Sequence, residues 1–205
     1  MNDASGQANI GFSNNGLLVI APSGPLSYSR FALAWMDRQG KTTTLLDSVR
    51  AYFSARLSPD GQKIATDINA ANDDIWVYNI PRGTLTRLTF AGGNNNFPIW
   101  SSDGNSIVYA GEKGKYPNLY KRALDGSGTE EQLTTDSNTK VPVSMSPDGK
   151  YLSFEQNGDL WILPMEGDHK PFPLVQSPAN EHGGIFSPDG RYVAYSSDQS
   201  GKSEV

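Results

Sequence analysis

Residues whose types and spacing could do chemistry are few in this 205-residue chain. Glu181-His182 sets an acid beside an imidazole, the pairing that general acid–base catalysis uses. Adjacent residues on an extended segment point to opposite sides, so the two do not make a ready dyad. Ser137-Asn138-Thr139-Lys140 repeats the Ser-x-x-Lys spacing of an acyl-transfer nucleophile and its base. That chemistry needs a helix start to aim the lysine at the serine, whereas this stretch is a Thr/Asp/Ser loop between strands, and the match is read as coincidence. Asp60, Asp103, Asp148 and Asp189 invite a calcium reading, yet one carboxylate per repeat cannot converge on an ion that takes roughly 6–8 oxygens. Local hydrogen bonds to nearby backbone N–H groups account for them. With two His and no Cys, a zinc site would need carboxylates to complete it, and His169, near Pro171 and Pro173, reads as a turn residue. Gly-x-Ser-x-Gly, a Walker loop and the kinase His-Arg-Asp and Asp-Phe-Gly triplets are missing. No catalytic residue, cofactor or metal is expected.

The remaining chemistry is binding. Tyr52, Asn96, Lys140, Glu181 and His182 stand at or just ahead of predicted innermost strands, where they should ring the mouth of a central channel. Tyr28, Arg30, Lys113, Lys115, Tyr116 and Lys202 fall on loops of the same face. Binding residues concentrate on loops held by a rigid scaffold, so the five mouth residues are the candidate surface for a protein or peptide partner. A sugar or other small ligand on the same aromatic and Asn-rich mouth is the alternative.

That scaffold is legible as a repeat. A turn glycine falls at Gly16, Gly61, Gly104, Gly149 and Gly190, spaced 45, 43, 45 and 41 residues. An apolar residue precedes each turn: Phe12, Leu57, Trp100, Met145 and Phe186. A large aromatic follows at Trp35, Trp76, Tyr120 and Trp161, and Asp74, Asn118 and Asp159 lie two residues ahead of it. In Ser-Pro-Asp-Gly the proline presets the first corner, the aspartate caps local backbone, and the glycine takes the unusual φ. Apolar–polar alternation then predicts strands, as in Ile107-Val108-Tyr109 and Leu152-Ser153-Phe154. Four strands recurring at about 40–45 residues are the mark of a β-propeller. One four-stranded sheet cannot bury both its faces, and sheets stacked radially bury each other. The expectation is an all-β, single-domain propeller over 1–205 with antiparallel blades at about 8–48, 50–90, 93–135 and 139–175, and an incomplete fifth at 180–205. Trp76 and Trp161 are expected in equivalent buried positions between blades.

Ser-Pro-Asp-Gly turns followed by Asp74-Ile75-Trp76 or Asp159-Leu160-Trp161, and by Arg87-Leu88-Thr89, resemble the WD40-like PD40 repeats. The resemblance runs from about Asn9 to Val205 and implies a TolB-type six-bladed propeller, of which this would be a fragment. It implies a non-catalytic binding module and favours a periplasmic parent. Similar arrays occur in prolyl-oligopeptidase-like peptidases and bacterial Ser/Thr kinases, so an accessory or gating propeller of such an enzyme is a further alternative. A final blade lacking its outer strand would expose an edge, and self-association is expected there.

Composition narrows the partners. A 37% apolar content suffices for a sizeable core, and the net charge of −5 comes with no basic stripe, which argues against nucleic acid. The absence of Cys removes disulfides and thiolate chemistry. No apolar run approaches the roughly 18 residues that span a bilayer, and Met1–Gln7 shows neither a basic nor an apolar signal region.

Overall fold

A computed structural model describes residues 10–12, 18–20, 31–90 and 92–205. The turn at Gly16 and the loop bearing Tyr28 and Arg30 lie outside these residues. The described chain is strand and turn, without a helix, and no described helix is long and apolar enough to cross a membrane. It divides into two compact units, Met1–Ala91 and Gly92–Val205.

The first unit is one seven-stranded antiparallel sheet in chain order: β1 (Ile10–Phe12), β2 (Leu18–Ile20), β3 (Phe31–Met36), β4 (Thr42–Leu57), β5 (Lys63–Asn69), β6 (Asp74–Asn79) and β7 (Thr84–Arg87). β4 serves two blades. Its first part, as far as Arg50, pairs with β3, and Ala51 to Leu57 pairs with β5. The sequence explains the continuity, because Asp47-Ser48-Val49-Arg50-Ala51-Tyr52-Phe53 holds no Gly or Pro to break the strand. The other blade junctions carry Gly92-Gly93, Asp136-Ser137-Asn138 or Ser177-Pro178, and there the chain turns.

The second unit repeats the plan as separate sheets. β8 (Asn95–Trp100), β9 (Ser106–Gly111), β10 (Asn118–Ala123) and β11 (Glu130–Gln132) form one. β12 (Val141–Met145), β13 (Tyr151–Gln156), β14 (Asp159–Pro164) and β15 (Phe172–Val175) form the next. β16 (Glu181–Phe186) pairs with β17 (Val193–Ser197), and Ser197 is bridged to Glu204. The first strands of neighbouring sheets adjoin, β8 beside β12 and β12 beside β16. Antiparallel four-stranded blades are therefore present as read from the sequence, and their apolar faces close on one another. Ile99, Val108, Leu119 and Leu133 of one sheet pack against Leu152, Phe154 and Leu163 of the next. Ile99 is 6% exposed, whereas Ile185, at the same register position on β16, is 57% exposed, because only the former has a described sheet across it.

The turns share one hydrogen-bond network. Ser58 Oγ donates to Asp60 Oδ1 (2.5 Å) and accepts from the Lys63 N–H (2.9 Å), while the Gln62 N–H donates to Asp60 (3.0 Å). Ser101/Asp103, Ser146/Asp148 and Ser187/Asp189 repeat it. Gly61 sits at φ 70°, the left-handed conformation that closes the turn. In each turn the serine hydroxyl first, then the backbone N–H, holds the aspartate below the usual carboxylate range. Backbone and serine occupy these carboxylates, as the sequence reading expects.

Trp76 and Trp161 occupy equivalent register positions, opposite Thr66 and Phe154, yet each is half-buried instead of enclosed. They sit on the third strand of their blades. Arg50 lies over the Trp76 ring at 5.3 Å, and Trp161 stacks on Phe154 with ring centroids 6.4 Å apart.

Candidate functional site

The register of the strands sets one end of each blade as the loop face. In the β8–β11 sheet, Asn95, Gly111 and Asn118 align across three strands at that end. The loop 112–117 and the connection 133–140 leave from it, with the Lys140 N–H donating to Pro117 O at 3.3 Å. A threonine clamp fixes the outer strand there. Thr134 Oγ1 donates to Asn118 Oδ1 (3.0 Å) and accepts the Leu119 N–H (3.0 Å). Thr89 does the same between Asp74 (2.7 Å) and the Ile75 N–H (3.0 Å). This gives Asp74 and Asn118, ahead of Trp76 and Tyr120, a structural role that sequence reading left unassigned, and the recurring Leu-Thr pairs 88–89 and 133–134 are its signal.

Of the five expected mouth residues, the structure keeps few side chains free. Tyr52 is buried in the core of the first unit with Leu33, Ile64 and Tyr78, and its hydroxyl donates to Ser48 O at 3.1 Å. Burial raises its pKa. Lys140 is fully buried, its ammonium held by Asp136 and by Asn138 O (3.0 Å). Burial of Asp136 opposes ionisation, but hydrogen bonds from Lys140 and the Asn138 N–H outweigh it and hold its pKa low. Asn96 is half-buried opposite Ala110. Glu181 and His182 diverge, as alternation requires. Glu181 is buried, with Oε1 accepting from Ser177 Oγ (2.6 Å) and no partner on Oε2, while His182 is exposed, with Nδ1 3.3 Å from Glu155 Oε2. Tyr52 and Lys140 were expected as exposed recognition residues and are instead core and loop-fixing residues. In both cases the long side chain folds back to bury its apolar body while its polar end finds a local partner.

What sequence reading missed is a bulge in four of the innermost strands, in β4, β8, β12 and β16. The pairing slips between Tyr52 and Ala55, Asn96 and Ile99, Pro142 and Ser144, and His182 and Ile185. Two of these bulges present exposed phenylalanines: Phe53, 58% exposed in the first unit, and Phe97, 41% exposed in the second. Phe97 has φ 59°, the conformation that Gly183 takes (φ 68°) at the corresponding bulge of β16. A bulky residue is rare there, and Pro98 restricts the residue before it further toward extended backbone. The only trace in the sequence is an aromatic two residues ahead of Ala55 and again ahead of Ile99.

The PD40 family, TolB beta propeller domain, matches residues 38–205. The chain belongs to the PD40 family. This PD40 chain is 26% identical over 104 residues to the Tol-Pal system protein TolB of Helicobacter hepaticus, which covers 50% of the chain but 25% of that protein. It is 24% identical over 199 residues to the uncharacterized protein Atu1656 of Agrobacterium fabrum, covering 90% of the chain and 68% of that protein. Among solved structures, TolB from Acinetobacter baumannii superposes with a TM-score of 0.67 at 22% identity, over 82% of this chain and 43% of that one. A prolyl endopeptidase superposes with a TM-score of 0.65 at 18% identity, over 91% of this chain and 32% of that one. The structural likenesses show the propeller fold. The PD40 chain spans about a quarter of the Helicobacter protein and less than half of the Acinetobacter structure.

Proposed function

We propose that this PD40 chain is a non-catalytic module that binds a protein or peptide through its innermost strands and loop face. The observation that carries the reading is Phe97. Its backbone is held in a conformation that costs a non-glycine residue about 1–3 kcal/mol, while the residue stays 41% exposed. Backbone strain of this kind concentrates at recognition sites. Exposed aromatics are also the side chains that most often anchor an interface. The TolB proteins among the relatives belong to a Tol-Pal system, which favours a protein partner and a periplasmic setting over a sugar ligand.

The test is a pull-down from a bacterial envelope extract with the wild-type chain, Phe97→Gly and His182→Ala. The expected result is a retained protein that Phe97→Gly loses while its melting temperature stays near wild type. Retention of the same proteins by Phe97→Gly overturns the reading. Hydrolysis of peptide or ester substrates by the purified chain would replace it with a catalytic one.

A further inference from the structure

Asp-Gly and Asn-Gly pairs are places where a chain can modify itself. The glycine has no Cβ to hinder the attack of its nitrogen on the side-chain carbonyl carbon of the residue before it. The described residues hold five Asp-Gly pairs and a single Asn-Gly pair, Asn157-Gly158, while Asn15-Gly16 lies outside them. Peptide recognition at the innermost strands uses none of these.

The fold closes this chemistry at the four repeated turns. The glycine N–H, which would be the nucleophile, is occupied: Gly61 donates to Ser58 O at 2.8 Å and Gly149 to Ser146 O at 2.9 Å, and Gly104 and Gly190 do the same. The aspartate, which would be attacked, is kept ionised by its serine and backbone donors, and a carboxylate resists attack. Asp125, of the fifth Asp-Gly pair, is also held below the usual carboxylate range, by hydrogen bonds from Ser127. Asn157 differs on both counts. It is an exposed, neutral amide at the first of the two residues that join β13 to β14, with φ 57° followed by φ 84° at Gly158, as a type I′ turn requires. Its Nδ2 donates to Asn138 Oδ1 at 3.3 Å, and no described residue donates to its Oδ1. The Gly158 N–H finds no acceptor among the described residues.

We propose that Asn157 is a site of spontaneous deamidation in the folded protein, and that the modification loosens the seating of β16. The Gly158 nitrogen attacks Asn157 Cγ, forming the N–Cγ bond of a cyclic imide. The Cγ–Nδ2 bond breaks, and the amide group leaves as ammonia with the proton that Gly158 gives up. Solvent water then opens the ring, its hydroxyl going to a carbonyl carbon and its other hydrogen to the nitrogen. Cleavage at Cγ gives aspartate, and cleavage at the backbone carbonyl gives isoaspartate. Aspartate exchanges the Nδ2 donor for an oxygen that faces Asn138 Oδ1. Isoaspartate adds a methylene to the main chain of a turn only two residues long. That displaces Gly158 O, which accepts the Glu181 N–H at 2.7 Å and so holds the start of β16 against the hairpin. This site is independent of the peptide-binding reading, and either can fail without the other.

The experiment ages the full 205-residue chain at mildly alkaline pH, folded and in urea. Peptide mass mapping and enzymatic methylation of isoaspartate then read each site separately. Every site is compared with itself in urea, because amides and carboxylates differ in intrinsic rate. The expected result is aspartate and isoaspartate at 157 in the folded chain, with a folded-to-unfolded rate ratio higher than at Asp60, Asp103, Asp148 or Asp189. Hydrogen exchange of the Glu181 amide should be faster in the isoaspartate form than in fresh protein. Aged Asn157→Gln, whose longer side chain disfavours ring closure, should keep the fresh rate, which separates this site from ageing elsewhere in the chain. No reaction at 157 in the folded chain while the unfolded chain reacts, a ratio there no higher than at the turn aspartates, unchanged Glu181 exchange in the isoaspartate form, or equal loss of protection in aged Asn157→Gln each overturn the proposal.

Discussion

Replacing Phe97 by glycine and, separately, by alanine tests the strained bulge directly. At an ordinary strand position glycine is less stable than alanine by about 0.5–1 kcal/mol, because it loses more backbone freedom on folding. At φ 59° the order should invert. Alanine retains a left-handed penalty of about 1–2 kcal/mol that glycine does not pay. Net of glycine's entropy loss, Phe97→Gly should exceed Phe97→Ala by about 0.5–1 kcal/mol. Both lose the partial burial of the ring, about 1–2 kcal/mol at 41% exposure. Phe97→Ala therefore falls below wild type by roughly that amount, while Phe97→Gly stays within about 1 kcal/mol of it. In urea, with a slope on the order of 2 kcal/mol/M, the two midpoints separate by roughly 0.3–0.5 M. Phe53 supplies the control: it does not share the positive φ, so there alanine should be the more stable replacement. An alanine variant at 97 as stable as the glycine variant, or more so, refutes the strain and removes the support it lends to a recognition role.

Other expectations follow from the repeat. Thr134→Val should cost about 1–3 kcal/mol in urea denaturation, because it removes the hydroxyl that joins Asn118 to the Leu119 N–H and strands buried polar groups. Trp161→Ala and Trp76→Ala should destabilise by similar amounts, on the order of 2–4 kcal/mol; midpoints near wild type for both would remove the shared register. The four turn aspartates have lowered pKa values, so their contribution is present above the unfolded carboxylate pKa of about 4 and is lost as pH falls through the lower folded values. The urea midpoint should be flat with respect to these groups above about pH 5 and decline below pH 4. Replacing all four by asparagine should shallow that decline, and an unchanged acid limb would show that other groups set it.

Much of this protein was legible in the chain itself because its information is local and repeated. Ser-Pro-Asp-Gly dictates the same turn at Ser58 and Ser146, since serine, aspartate and glycine each satisfy a neighbour within five residues. Alternation and the recurring aromatics placed the strands, and the spacing of the turns implied blades stacked face to face. The candidate surface was less accessible. Whether Tyr52 and Lys140 reach solvent depends on where a long side chain finds partners, and Leu33, Ile64, Asp136 and Asn138 were visible as partners only once the chain was folded. The slips in β4, β8, β12 and β16 arise from pairing between strands, which no local pattern specifies. Phe97 illustrates the limit most sharply, because local preference alone sends a residue before proline to extended backbone. Only the register that β8 must keep with β9 across the bulge turns it to a positive φ and leaves its ring exposed.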